Sequence, residues 1–290
     1  MTYSDYMRGD EAILGVAPTG YRYSTDVNEH LPLTPEAVAK HVYESASLGA
    51  SVAHLHGRDE DGDPDATRLP AFATAVRDIC ADDVLIDYAV APDCELGDFF
   101  AVLDEDPVPD IATVRVGPAH YEYRGTTTTT RRDVDRFVEG LVDRRIKPNL
   151  LVTNGRDIHE VNRLVEESVL DGPPLVTLLF GARDGTVATP MNALSLLEAV
   201  PDEAQCLVRA TGPNQYPLTT LAFFLGAHPV VGMEDNLFFD PERPVERNAQ
   251  LVRQVAEIAR NALRPVATAD EARSLVEHPR MLAEDDGMQA

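Results

Sequence analysis

Two histidines one residue apart, His54 and His56, close the run Ser51-Val-Ala-His-Leu-His-Gly57. On a strand, successive side chains alternate faces, so both imidazoles share one face while Leu55 takes the other. Paired neutral imidazoles on a rigid element make a clamp for a divalent cation, and zinc with nitrogen and carboxylate ligands is the expected guest. A lone buried histidine is ordinarily a satisfied core residue; two on one face, followed by Arg58 and Asp59, are harder to explain that way. A third ligand is offered far along the chain by Glu234 in Val231-Gly-Met-Glu-Asp-Asn236. An acid after a strand is commonly only a helix cap. Two imidazoles and one carboxylate, however, leave open positions for water or substrate, which is the ligand count of a catalytic zinc.

Convergence of these residues depends on the elements that carry them. Short β-rich runs are expected at 12–17, 51–56, 84–89, 111–116, 148–152, 175–180, 205–210 and 229–233. Amphipathic helical stretches alternate with them near 35–48, 70–81, 96–104, 131–145, 158–170, 190–199, 218–225 and 245–263. Thr34-Pro35-Glu36 and Thr189-Pro190 each set a capping hydroxyl before a proline at the first helical position. Eight strands, each followed by a helix, within 290 residues argue for an α/β protein of the (β/α)8 TIM-barrel class. One domain is expected over residues 1–278, with a polar tail at 279–290. A doubly wound sheet would call for a GxGxxG after a strand, and there is none. The run Thr126–Thr130 reads as a loop whose last threonine caps the next helix.

Barrels of this class carry their chemistry at the carboxyl ends of the strands. His54 and His56 end the second strand and Glu234, Asp235 and Asn236 follow the eighth, so all lie at the same rim. The first strand leads to Thr19 and Arg22, and the fourth ends in Thr113 and Arg115. These place hydroxyls and guanidiniums at the mouth, and arginine suits bidentate grip on a carboxylate. Two arginines beside a metal in an otherwise anionic protein point to an acidic substrate.

The charge balance is strongly acidic, with 49 Asp and Glu against 25 Lys and Arg and a net charge of −24. Such a surface repels nucleic acid and anionic lipid, which excludes both as partners. Only Lys40 and Lys147 are lysines. Acidic, lysine-poor composition resembles that of proteins from salt-in halophilic archaea. Cys80, Cys94 and Cys206 are scattered, odd in number and without CxxC spacing, which fits a reducing compartment. With no leader pattern at Met1 and no apolar run of membrane-spanning length, a cytoplasmic location is expected.

Across residues 12–276 the chain resembles the β-keto acid cleavage enzymes, the group that includes 3-keto-5-aminohexanoate cleavage protein. The resemblance is carried by Ala17-Pro-Thr-Gly20, His30-Leu-Pro-Leu-Thr-Pro-Glu36 and Leu48-Gly-Ala-Ser-Val-Ala-His-Leu-His-Gly-Arg-Asp59. Asp110-Ile-Ala-Thr113, Gly226-Ala-His-Pro-Val-Val-Gly-Met-Glu-Asp-Asn236, Asn248-Ala-Gln-Leu-Val252 and Pro265-Val-Ala-Thr-Ala-Asp-Glu-Ala-Arg273 extend it. It implies a homo-oligomeric, zinc-bearing barrel that converts a β-keto acid and acetyl-CoA to a new acyl-CoA and acetoacetate. His54, His56 and Glu234 fall on the family's zinc ligands, where the metal polarises the keto oxygen. Asp235 falls on the acidic partner of an Arg–Asp pair that serves proton transfer, and Thr113 on a substrate-contacting hydroxyl.

Three positions depart from the family pattern. The arginine of the Arg–Asp pair is Val230, which would leave Asp235 unpartnered unless Arg58 or Arg115 reaches in. A substrate-contacting serine aligns with Ala89, and the glycine loop after it aligns near Pro92. An acid that meets the substrate's amino end aligns with Arg22, so an anionic or neutral side group replaces an amino-bearing one. Two other readings keep the barrel: a metal-assisted aldol-type lyase or hydrolase, and a catalytically silent barrel that binds an acidic metabolite. HxH on a barrel strand also occurs in amidohydrolases, but the fifth strand's Leu150-Leu-Val152 supplies no further ligand.

Overall fold

The computed structural model describes residues 11–276 except 90–93, 95, 118, 122–124, 128–129, 171, 184, 241 and 263. Pro92, residues 128–129 of the threonine run and the tail at 279–290 therefore lie outside the described residues. Eight parallel strands close into a barrel: β1 (Gly15–Val16), β2 (Val52–Leu55), β3 (Leu85–Ala89), β4 (Ile111–Arg115), β5 (Lys147–Val152), β6 (Leu175–Phe180), β7 (Gln205–Ala210) and β8 (His228–Val231). Each neighbours the next in sequence, and β1 pairs with both β2 and β8. This is the expected TIM barrel.

The helices are α1 (Pro35–Ala46), α2 (Leu69–Cys80), α3 (Leu96–Leu103), α4 (Arg131–Asp143), α5 (Gly155–Glu166), α6 (Pro190–Leu197), α7 (Gln215–Phe224), α8 (Asn248–Ala262) and α9 (Ala269–Leu275). Thr34 caps α1 by accepting from the Ala37 amide, and Thr189 caps α6 by accepting from Asn192. Thr130 caps α4 in a reciprocal box with Asp133, which satisfies two otherwise orphaned backbone amides. Thr126 and Thr127, expected as loop, instead belong to the strand Gly125–Thr127, which pairs antiparallel with Ala119–Tyr121. No helix among the described residues is long and apolar enough to cross a membrane, and Cys80, Cys94 and Cys206 form no disulfide.

Alternation along the strands divides the apolar core in two. Residues such as Leu14, Ala53, Leu55, Ile86, Tyr88 and Val114 face outward into the layer between sheet and helices. Ile13, Val52, Leu85, Ile111, Leu175 and Leu207 belong to a separate cluster that fills the amino-terminal end of the barrel. Val276 and three alanines from the α9 region join that cluster and close the bottom. Burying these side chains contributes roughly 1.5–3 kcal/mol each for the larger ones. Most interior polar residues lie in the carboxyl half, with His228 at the start of β8 a buried exception.

Candidate metal centre

His54 lies inside β2, in register with Asp87 of β3, and His56 follows one residue beyond the strand. Both imidazoles are buried, at 6% and 8% exposure. Glu234 reaches them from the turn after β8, which opens at Gly232. There the Glu234 amide donates to the Ala17 carbonyl at 3.2 Å, and Gln215 Nε2 donates to the Gly232 carbonyl at 3.0 Å. Two glycines make this approach possible. A Cβ on Gly232 would collide with the Ala17 backbone, and one on Gly20 would collide with the Glu234 side chain.

One carboxylate oxygen is the point of convergence. Glu234 Oε1 lies 3.1 Å from His56 Nε2 and 3.9 Å from His54 Nε2, and it accepts from Arg209 Nη2. One ligand atom from each of His54, His56 and Glu234 falls within 4.8 Å of the others. Two buried atoms at the cluster, Glu234 Oε2 and His56 Nδ1, have no hydrogen-bond partner among the described residues. An orphaned carboxylate oxygen and an orphaned imidazole nitrogen within one buried cluster are a costly arrangement for a structural core. They suit a cation ligated by nitrogen and oxygen, so the donor set fits zinc.

Charge around the cluster is arranged to keep the acid ionised. Burial works to raise the Glu234 carboxyl, but Arg209 and the two imidazoles outweigh it and hold it well below the usual carboxylate range. Burial pushes the His56 imidazole down, against the pull of Glu234, which favours the neutral form a metal requires. The Tyr21 ring packs edge-on against His56, with centroids 4.3 Å apart, and walls the site on the β1 side.

Arg209 is the functional residue that the sequence pattern left unassigned. It sits on β7, buried at 3% exposure, and its Nε donates to Asp235 Oδ2 at 2.8 Å. Asp235 is therefore paired, and the expectation that valine at 230 leaves it alone is corrected. The arginine comes from the neighbouring strand. Val230 instead stands beside Gly15, whose missing Cβ leaves room for the valine methyls. Burial opposes the Arg209 charge, yet Asp235 and Glu234 raise its pKa well above the ordinary guanidinium value.

The remaining candidates are distributed unevenly. Arg58 does not pair with Asp235; its guanidinium donates to the carbonyls of Gly20, Tyr23 (2.9 Å) and Gly62 (2.5 Å). It thereby fastens the loop that carries Gly20 and Tyr21 against the cluster. Arg115 donates to Thr153 Oγ1 at 3.2 Å rather than to Asp235. Thr19 is fully buried with a hydroxyl that finds no partner among the described residues. Arg22 is exposed on the same loop. Ala89 is buried at the end of β3, in register with Thr113, and brings no polar atom. Asn236 folds back on its own turn, donating to the Phe238 carbonyl at 2.8 Å. Asp87 Oδ2 lies 2.7 Å from His54 Nδ1 and was legible only as a lone acid in an apolar strand.

A family model for beta-keto acid cleavage enzyme matches residues 11–277, nearly all of the chain. The chain belongs to the β-keto acid cleavage enzyme family. A 3-keto-5-aminohexanoate cleavage enzyme from Acetoanaerobium sticklandii is 28% identical over 275 residues, covering 92% of this chain and 98% of that protein. A 3-oxoadipate:acetyl-CoA acetyltransferase from Cupriavidus necator is 25% identical over 281 residues, covering 93% and 95%. Among solved structures, the ternary complex of ObcA with a C4-CoA adduct and oxalate superposes with a TM-score of 0.69 at 16% identity. It covers 86% of this chain and 67% of that one, and shows a shared fold. Within this family member, the His–His–Glu cluster and the Arg209–Asp235 pair lie together at the carboxyl rim.

Proposed function

We propose that this chain is a zinc-dependent β-keto acid cleavage enzyme that exchanges acyl groups between a β-keto acid and acetyl-CoA, giving a new acyl-CoA and acetoacetate. The observation that carries the reading is the convergence of His54, His56 and Glu234, with two orphaned donor atoms, in a chain of this family. A zinc ion held by these three residues would supply Lewis-acid polarisation of the keto oxygen. Asp235, aimed by Arg209, takes the proton-transfer role. Arg58 holds the first loop over the site, and Tyr21 beside His56 helps to exclude water.

Substrate choice follows from charge. Arg22 stands on the first loop where the resemblance implies an acid, so a keto acid with an anionic or neutral side group is favoured over an amino-bearing one. The name of the Cupriavidus relative, which refers to 3-oxoadipate, supports a dicarboxylic candidate. A homo-oligomer is expected from the family resemblance.

Metal analysis of protein purified without added zinc, followed by a panel of β-keto acids with acetyl-CoA, tests the proposal. Bound zinc and acetoacetate release that depends on coenzyme A are expected, with anionic side groups turned over best. Turnover without coenzyme A would move the assignment to a lyase or hydrolase. An empty site with no turnover would leave a binding barrel.

A further inference from the structure

Five consecutive strands each turn one polar side chain into the barrel: His54, Asp87, Thr113, Asn149 and Thr177. All are buried, and Asp87, Thr113, Asn149 and Thr177 are between 1% and 4% exposed. The hydrogen bonds joining them run in one direction. Thr177 Oγ1 donates to Asn149 Oδ1 at 2.9 Å, and Asn149 Nδ2 donates to Thr113 Oγ1 at 2.8 Å. Thr113 Oγ1 lies 2.8 and 2.9 Å from the two Asp87 oxygens, which can only accept. Reversing the Asn149 amide would turn its carbonyl toward the Asp87 carboxylate, so the network fixes its orientation.

This polarity has a chemical end point. Asp87 Oδ2 stands 2.7 Å from His54 Nδ1, and because a carboxylate can only accept, that nitrogen carries the proton. Nε2 is then left with its lone pair, on the side facing Glu234. A ligating histidine oriented through its second nitrogen by a carboxylate is a known way to set both tautomer and basicity. The Thr113 hydroxyl, with its proton on Asp87 and one of its two lone pairs taken by Asn149, has no proton left to donate to a substrate.

We propose that the Thr177–Asn149–Thr113–Asp87 belt is a positioning device that locks His54 as the Nδ1–H tautomer, and that Thr113 acts through this belt rather than on substrate. The consequence for metal affinity rests on the function proposed above; the tautomer itself does not.

Nitrogen-15 spectra of histidine-labelled, metal-free protein read the tautomer directly, and competition with a chelator reads zinc affinity. Wild type should show His54 as Nδ1–H. Asp87→Asn turns an amide N–H toward the ring, so His54 should switch to Nε2–H and zinc affinity should fall about 10- to 100-fold. Thr113→Val should weaken zinc at the lower end of that range with KM for the keto acid little changed, and Thr113→Ser should restore it. An Nε2–H tautomer in wild type would overturn the proposal. So would a Thr113→Val protein with unchanged zinc affinity and tautomer but a raised KM. Wild-type protein that binds no zinc would defeat the proposed function, while the metal-free spectrum would still decide the belt.

Discussion

Both ends of this barrel bury histidine, and they treat it in opposite ways. At the amino-terminal end, His228 has both ring nitrogens matched. Nδ1 accepts from the Ile13 amide at 3.1 Å, and Nε2 faces Gln205 Oε1 at 2.7 Å. Burial, with help from Arg264, pushes its pKa down to about 3, and an apolar plug surrounds it. At the carboxyl end, His54 Nδ1 meets Asp87, while His56 Nδ1 and Glu234 Oε2 find no partner among the described residues, and charges crowd the cluster. Equal burial therefore separates a structural residue from a ligand by what is left unsatisfied. A satisfied neutral ring holds two strands together, whereas an unsatisfied one implies a guest.

Low salt is the largest perturbation expected, and it would erase the contrast by acting on both ends. A net charge of −24 repels itself across a surface whose screening length grows from about 3 Å at 1 M salt to about 30 Å at 0.01 M. If the composition reflects a saline interior, dialysis into dilute buffer should cost the protein its circular dichroism signal. An unchanged spectrum would mean that the apolar core outweighs the surface field.

Glu234→Gln is expected to disable one end alone. The substitution keeps the side-chain volume beside Gly20 and leaves Arg209 paired with Asp235. It removes the charged ligand, so zinc affinity should drop by at least about 100-fold, the upper end of what even supporting residues cost. Activity should go with it while the circular dichroism spectrum persists. A variant that retains zinc and turnover would remove Glu234 from the ligand set.

How far this contrast can be read in the sequence depends on the kind of pattern involved. Six-residue runs such as Leu175–Phe180 and Gln205–Ala210 are strands to the residue, because a short, mainly apolar run between helical stretches has no better alternative. The first strand is shorter than the run at 12–17, since Ala12 bridges to Val266 and bonds Pro265 to close the bottom. The pairing of 125–127 with 119–121 was hidden because a run of identical threonines has no alternation to read. His54, His56 and Glu234 stand out by type and spacing. Arg209 and Asp87 do not: each is a single charge in an apolar strand, and its meaning lies in neighbours 25 and 33 residues away.

His228 gives the smallest and sharpest test, because its two effects have opposite signs. His228→Leu orphans the Ile13 amide and the Gln205 side chain, which should cost about 1–3 kcal/mol at pH 7. Activity per folded molecule should be unchanged, since the site is at the other end. Below about pH 6.5 the unfolded wild-type histidine takes up a proton, whereas the folded one stays neutral until about pH 3. Wild-type stability therefore falls with pH through that window by about 1.4 kcal/mol per unit from this group, and the leucine variant is spared that loss. His41, also held low by burial, contributes the same slope to both proteins and cancels. Urea titrations at pH 7, 6 and 5 should show the stability gap narrowing as the solution is acidified. A gap that stays constant would mean that His228 is charged inside the plug, and the distinction between a satisfied bottom and an unsatisfied top would fail.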